Sequence, residues 1–349
     1  MVIQKIGLDR ISLVINSENI VVDTKKVVGL QKGEGTMVYD LATNKKIEIA
    51  VLNRKIRGAG IGEVDTDAIV VRNNNFDKNK FDIVVNGAKL LYGTNERNIE
   101  GLALERLAEE VACKLASEGI YIDMSKATIG SVEINYNIDD KKLYDVFELI
   151  AKANMYEGFK AYKVEVKDGI QTVKIKKDKY ELKIYRKTEQ LKETGKLVDS
   201  GNLVRFEVST NVNSEKAKFL GDNMTLESLV ENWDKAMAWY LRCIDLTINK
   251  PIDKYITEVE GLIIASMRSG KKPSEVATGL LLNNNLLDFE IFSNAVKKHY
   301  KQNKKGSPSS VLKGIRKKLE KANSERFKSM TGNLEKLEEF YKEIGLKSN

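Results

Sequence analysis

The spacing of the apolar residues changes once along this chain, near residue 220, and that change limits the folds open to it. Before it, short Val/Ile-rich runs bounded by Gly, Asn and Asp occupy 11–15, 47–52, 68–71, 81–85, 128–135, 161–166, 172–175, 182–185 and 203–208. β-Branched runs of this length read as strands, because branched side chains pack well on a pleated surface. Asp168-Gly169 between two of the runs suits the left-handed backbone of a tight hairpin turn. Two segments break in with helical spacing: 99–118, striped by Leu102, Leu104, Leu107, Val111 and Leu115, and 141–154, striped by Leu143, Val146, Phe147 and Ile150. After residue 220 the patterns are helical, at 226–248, 252–267, 273–282, 288–301, 307–327 and 334–344. Thr225, Pro273-Ser274 and Ser307-Pro308 supply helix starts. This order predicts an α+β domain over 1–220, with helices on one face of a largely antiparallel sheet, followed by an all-helical domain over 221–349.

Composition narrows the chemistry. The 349 residues include one histidine, His299, and two cysteines, Cys113 and Cys243. A three-histidine zinc site and a zinc knuckle are excluded by counting, and a Ser-His-Asp hydrolase, which would have to rest on His299 alone, is not expected. The cysteines read as small buried hydrophobes in a reducing cytoplasm. The first residues lack the unbroken apolar run of a secretion signal, and no segment has the length of a membrane span, so a cytoplasmic protein with no membrane partner is expected. A formal charge of +8 favours a polyanionic partner, nucleic acid before a membrane surface.

Three strands carry ionisable groups at interior positions. Alternation puts Glu133, Asn135 and Asn137 on one face of their strand, Lys183, Tyr185 and Lys187 on one face of another, and Arg205 with Glu207 on one face of a third. A carboxylate in mid-strand must be solvated, paired or bound to a metal. Two readings follow. If the strands are neighbours, Glu133 and Glu207 can hold Mg²⁺ or Mn²⁺ through oxygen, with Tyr185, Lys187 and Arg205 beside it, a set suited to attack by a tyrosine on a phosphodiester. Otherwise they form an outer sheet face of Lys–Glu pairs. Tyr180 and Tyr240 are alternative nucleophiles, Tyr240 within a Trp-Tyr pair that also reads as helical core. Arg57-Gly-Ala-Gly-Ile-Gly-Glu63 lacks the spacing of a nucleotide-binding loop and reads as a plain connection.

Three blocks resemble the phage and plasmid replication initiators that include the filamentous-phage gene II/X rolling-circle replication proteins. Asn86-Gly-Ala-Lys-Leu-Leu-Tyr-Gly-Thr-Asn95 is similar to the family's Lys-(apolar)-Leu-Tyr-Gly-x-Asn segment, and Thr128-Ile-Gly-Ser-Val-Glu133-Ile-Asn-Tyr-Asn137 to its Arg-(apolar)-Asp-(apolar)-x-x-Asn strand. Leu182-Lys-Ile-Tyr185-Arg-Lys187-Thr-Glu189-Gln190, with Leu203-Val-Arg205-Phe-Glu207, resembles its Tyr-x-Lys-x-x-Glu and Leu-Arg-(apolar)-Glu pair. The resemblance spans roughly 80–215. It implies a relaxase-type domain that nicks and rejoins origin DNA through a phosphotyrosyl link, with Glu133 and Glu207 as metal ligands and Tyr185 with Lys187 at the nicking centre. Glu133 stands where the family has Asp, and the family's arginine is Gly130 or Ser131 here. A non-catalytic DNA-binding protein of the same fold, acting in replication control, is the alternative. The partners implied are single-stranded or hairpin origin DNA, a second copy in a homodimer and a host helicase.

Between 297 and 321 cations crowd against Glu320 alone. Lys304, Lys305, Lys313, Arg316 and Lys317, with Lys183 in the sheet, are the expected DNA contacts, and Leu312, Ile315 and Leu319 the buried stripe beneath them. Segments 273–282 and 288–301 could form a helix-turn-helix reader, and His299 is expected to cap or line the basic helix.

Overall fold

The amino-terminal apolar runs lengthen into β1 (Gly7–Asn16), β4 (Lys45–Arg57), β5 (Asp67–Asn73), β6 (Lys80–Asn86), β8 (Thr128–Asp139), β9 (Lys160–Val166), β10 (Gly169–Lys176), β11 (Glu181–Arg186) and β12 (Leu203–Thr210). Three strands had no clear run: β2 (Ile20–Val22), β3 (Leu30–Asp40) and β7 (Ile120–Ile122). The helices are α1 (Gly87–Tyr92), α2 (Leu102–Glu105), α3 (Leu107–Ser117), α4 (Phe147–Tyr156), α5 (Lys187–Glu193), α6 (Asn213–Leu220), α7 (Leu226–Glu231), α8 (Trp233–Ile244), α9 (Lys250–Arg268), α10 (Pro273–Leu282), α11 (Phe289–Gln302), α12 (Ser309–Ala322) and α13 (Asn333–Glu343). The computed structural model describes residues 6–57, 67–93, 98–166, 169–193, 201–282, 288–303, 306–322 and 331–346. The glycine-rich 58–63 segment, Thr94, Asn95, Asp168, Lys304 and Lys305 lie outside them.

The chain divides into two units, each drawn from two stretches: 1–139 with 177–243, and 140–176 with 244–349. In the first, strands pair in the order β7-β2-β3-β4-β5-β6-β1-β8-β12-β11. Each of these pairings is antiparallel except β2 with β3. The class is therefore α+β with a largely antiparallel sheet, as the order of elements predicts. Ile11, Leu13, Ile69, Val71, Phe81, Ile83, Val85, Val132, Ile134, Phe206 and Val208 are buried along one face, and α1 packs against β1 and β5. Asn86 starts α1 by accepting from the Lys89 N–H, and Gly87 is small because a Cβ there would fall 2.1 Å from Ile99 Cδ1.

At the β12 end, Trp239 and Tyr240 of α8 are core residues, with Trp239 stacked near Phe219 and Tyr240 donating its hydroxyl to the Phe206 carbonyl at 3.0 Å. Lys216 of α6 is buried too, and donates to the Gly130 carbonyl at 2.8 Å and to that of Ile129.

The second unit contains the β9–β10 hairpin, α4 and α9 to α13. Val173 and Ile175 are buried where the hairpin meets α4. A π-helical turn, Asp245–Asn249, leads into α9, where Pro251 lacks an N–H. Asp288 caps α11 at the Glu290 N–H and also accepts from the N–H groups of Asn333 and Leu334. Cys243 is buried as expected, but Cys113 is exposed, because the α3 stripe of Leu107, Val111 and Leu115 turns it outward. No helix among the described residues is long and apolar enough to cross a membrane.

The Tyr240 hydroxyl ties α8 to the backbone of β12, and its loss removes one buried hydrogen bond worth about 1 kcal/mol. Tyr240→Phe is expected to lower the unfolding free energy by that amount, seen as a lower urea midpoint with an unchanged slope. A midpoint equal to wild type would show the bond adds nothing to the sheet.

Candidate metal centre

The opposite face of β1, β8, β12 and β11 is polar, and the strand register brings its members together. Arg10 lies opposite Glu133, Asn135 opposite Glu207, and Asn137 opposite Arg205; across the next ladder Lys183 faces Glu207 and Tyr185 faces Arg205. The strands read from sequence as separate carriers of charge are thus neighbours, in the order β8, β12, β11.

Asp9 joins them through a β-bulge. Pairing jumps from Leu8↔Ile134 to Arg10↔Glu133, leaving Asp9 as the extra residue of β1. Its Oδ1 accepts from Arg205 Nη1 at 3.1 Å, while Arg205 Nε donates to Asn137 Oδ1 at 2.7 Å. Asn137 in turn donates to Asn98, whose neighbour Ile99 pairs with Leu8 beside the start of β1. Arg205 is wholly buried; burial works against its charge, but the charges of Asp9 and Glu207 prevail and hold it ionised. In this arrangement its guanidinium reaches Asp9 rather than solvent.

Asp9, Glu133 and Glu207 each offer an oxygen within 4.8 Å of the other two. Burial first, and then the charge of Glu207, push Glu133 up to about 7, against the opposing pull of Lys183 and Arg10. Lys183 Nζ donates to Glu207 Oε1 at 2.7 Å; burial works against its charge, but Glu207 and Glu133 prevail and raise its pKa. The Tyr185 hydroxyl donates to Glu207 Oε2 at 3.1 Å, and burial keeps that phenol protonated well above its ordinary range.

Lys187 does not continue the strand. β11 ends at Arg186 and α5 begins at Lys187, and the Thr188 hydroxyl accepts from the Leu203 N–H. The Lys187 ammonium comes back over the Tyr185 ring, 5.6 Å from its centroid, and donates to Gln190 at 2.9 Å. Tyr180 stands just before β11, half-buried with its ring edge-on to Trp239, and Tyr240 belongs to the apolar core. Neither sits in the polar cluster. Lys313, Arg316 and Lys317 are exposed on α12 in the other unit, over buried Leu312, Ile315 and Leu319, and Arg316 pairs with Glu320. His299 lines α11, buried against Asn303.

Whether a cation suits these residues can be judged from Asn135. Its side chain has no exposure, lies between Glu133 on its own strand and Glu207 across the ladder, and neither its oxygen nor its nitrogen has a hydrogen-bond partner. A buried amide left so costs about 1–3 kcal/mol. Carboxylate and amide oxygens without sulfur or imidazole are the donor set of Mg²⁺ or Mn²⁺, and the residues fit such an ion. Sequence reading missed Asp9 because plain alternation would place it with Ile11 and Leu13 on the apolar face; only the bulge turns it over. Asn135 was placed on the right face, but nothing in its spacing tells that it lacks a partner.

Beyond the cluster the same face continues across β1, β6, β5 and β4, where Arg10, Arg72 and Lys55 are exposed.

No family model matches this chain, and no curated protein does. Among solved structures, one described as a rolling circle replication initiator protein from Geobacillus stearothermophilus is similar at 12% identity, over 60% of this chain and 75% of that one, with a TM-score of 0.31.

A carboxyl whose pKa is raised from 4.5 to about 7 by folding holds a proton that the unfolded chain has released. Its contribution to the metal-free protein is therefore lost as pH rises through that window. In EDTA, the melting temperature of wild type is expected to drop relative to Glu133→Gln between pH 5 and pH 8. Mn²⁺ should raise the wild-type value more at pH 8 than at pH 5, because metal and proton compete. Parallel curves with no Mn²⁺ effect would rule the centre out.

Proposed function

We propose that this chain is a replication initiator that nicks and rejoins origin DNA through a phosphotyrosyl link to Tyr185. The observation that carries the reading is the hydrogen bond from the Tyr185 hydroxyl to Glu207, itself one of three carboxylates gathered on the polar face. Asp9, Glu133 and Glu207, with the amide of Asn135, would hold the divalent ion. When bound, such an ion polarises the phosphodiester and offsets its charge.

Tyr185 supplies the nucleophile, and Glu207 already receives its hydrogen bond, so the phenolic proton has an acceptor as the oxygen attacks. The new bond runs from the tyrosine oxygen to phosphorus, and the bond from phosphorus to the 3′ oxygen breaks, that oxygen taking the proton from Glu207 to leave as a 3′ hydroxyl. Attack by that hydroxyl on the phosphotyrosine, with the proton returned to Tyr185, rejoins the strand. Lys187 and Lys183 flank the tyrosine and can donate to phosphate oxygens as charge develops. Arg205 is a positioning residue, holding Asp9 in its bulge. The exposed Arg10, Arg72 and Lys55 offer the strand's backbone a path over the open sheet. Lys313, Arg316 and Lys317, in the helical 221–349 part, take further phosphates, and that part binds DNA or a second copy.

A second reading, a non-catalytic DNA-binding protein of the same fold, is favoured by the burial of Tyr185, which is 8% exposed.

Supercoiled origin plasmid and single-stranded hairpins, incubated with Mg²⁺ or Mn²⁺, are expected to yield nicked product with protein on the 5′ end. Tyr185→Phe should reduce the covalent product by about a hundredfold or more, whereas Tyr180→Phe and Tyr240→Phe should still form it. DNA bound with a steep salt dependence but never cut would establish the second reading instead.

A further inference from the structure

The β9–β10 hairpin has two unlike faces. One is formed by Val173 and Ile175, both without exposure, where the hairpin meets α4. On the other, the register pairs Lys160 with Lys176, Tyr162 with Lys174 and Val164 with Thr172. A bulge between Ile170 and Thr172 restores the alternation beyond the turn. Tyr162 is 52% exposed and Val164 53%, unusual for large apolar side chains beside each other on a strand. Lys160 and Lys176 are exposed as well, and Lys174 is half-buried.

Charge is sorted between the faces. The one carboxylate among the hairpin's described residues, Glu165, lies on the inner face with Lys163, whose ammonium is 3.6 Å away. Among the hairpin's described residues the outer face thus has the ammonium groups of Lys160, Lys174 and Lys176 around an open aromatic ring and no carboxylate of its own. An apolar partner protein would have to desolvate the exposed Lys160 and Lys176 without offering them a charge. A duplex keeps its bases stacked inside, where a tyrosine on a ribbon cannot reach them. A single strand presents unstacked bases along a phosphate backbone, which is what a ring edged by cations complements.

We propose that the outer face of the β9–β10 hairpin binds single-stranded nucleic acid, with Tyr162 as a stacking platform for a base and Lys160, Lys174 and Lys176 as contacts to the adjoining phosphates. The site is separate from the carboxylate centre in sequence and in composition. It takes only the class of its ligand from the replication-initiator reading, as a hold on the strand exposed when an origin opens.

The test is binding of a fluorescein-labelled oligo(dT) to the full-length protein in EDTA, read by anisotropy, so that no cleavage enters. Stacking on one aromatic ring corresponds to roughly a 5- to 100-fold change in Kd. Tyr162→Ala is expected to weaken binding within that range, Tyr162→Phe to keep it, and the triple change Lys160→Ala, Lys174→Ala, Lys176→Ala to flatten the dependence of affinity on salt. Duplex DNA of the same length should show no loss with Tyr162→Ala. Oligo(U) should lose as much as oligo(dT) if the ring reads only a base face. A Tyr162→Ala protein with a wild-type melting curve and wild-type oligo(dT) affinity would overturn the proposal, as would equal losses for single strand and duplex. Lys313→Ala with Arg316→Ala and Lys317→Ala serves as the comparison, lowering affinity for both forms without changing the Tyr162→Ala ratio. A protein that binds through Tyr162 and never nicks would defeat the nicking reading alone; one that nicks with Tyr162→Ala affinity unchanged would defeat this one alone.

Discussion

A guanidinium with no access to water is the constraint around which the polar face is arranged. Arg205 sits in mid-strand on β12 and must be neutralised where it lies, because burying an unpaired charge costs several kcal/mol. Asp9 meets it, and to do so β1 gives up regular pleating for one residue. Asn137 takes a second donor of the guanidinium and hands its own amide to Asn98, so the pair also binds the segment that runs beside the start of β1. With Asp9 turned to this face, the carboxylates of Glu133 and Glu207 gain a third neighbour, and a Lys–Glu sheet face becomes a cluster of three acids within reach of one another.

That gathering of oxygens is what distinguishes the centre from an ordinary ion-paired surface. Lys183 answers one oxygen of Glu207 and Tyr185 the other, whereas Glu133 is left to burial and to its acidic neighbours, which push it toward neutrality. Asn135, enclosed beside them with its amide unanswered, completes a set of oxygen donors in which a divalent cation would relieve both the repulsion and the unmet hydrogen-bonding capacity. The same features keep Tyr185 protonated at rest while aiming its proton at an acceptor.

Much of this could be read in advance. The Val/Ile runs and the 3.6-residue stripes of Leu and Ile named the strands and helices, because burial on one face imposes a period that survives in sequence. The placing of Glu133, Asn135, Glu207, Lys183 and Tyr185 on one side of their strands follows from alternation alone. What escaped were β2 and β7, apolar but only three residues long, β3, whose Gly33-Glu-Gly35 bulge breaks its pattern, and α5, which cuts in at Lys187 where the strand pattern would continue. Cys113 escaped for another reason, being a small residue whose burial depends on which side of α3 meets the sheet.

By itself, the sequence determined the class of the fold, the exclusion of a metal site built on several histidines and the polar side of three strands, since each depends only on residue type and on the short repeat of a strand or helix. The tertiary structure decided that β8, β12 and β11 stand side by side, that Asp9 belongs with their charges and not with Ile11, and that the chain passes three times between its two units. Strand order and bulges arise from pairings between residues far apart in the chain, and local period holds no record of which distant strand will supply the partner.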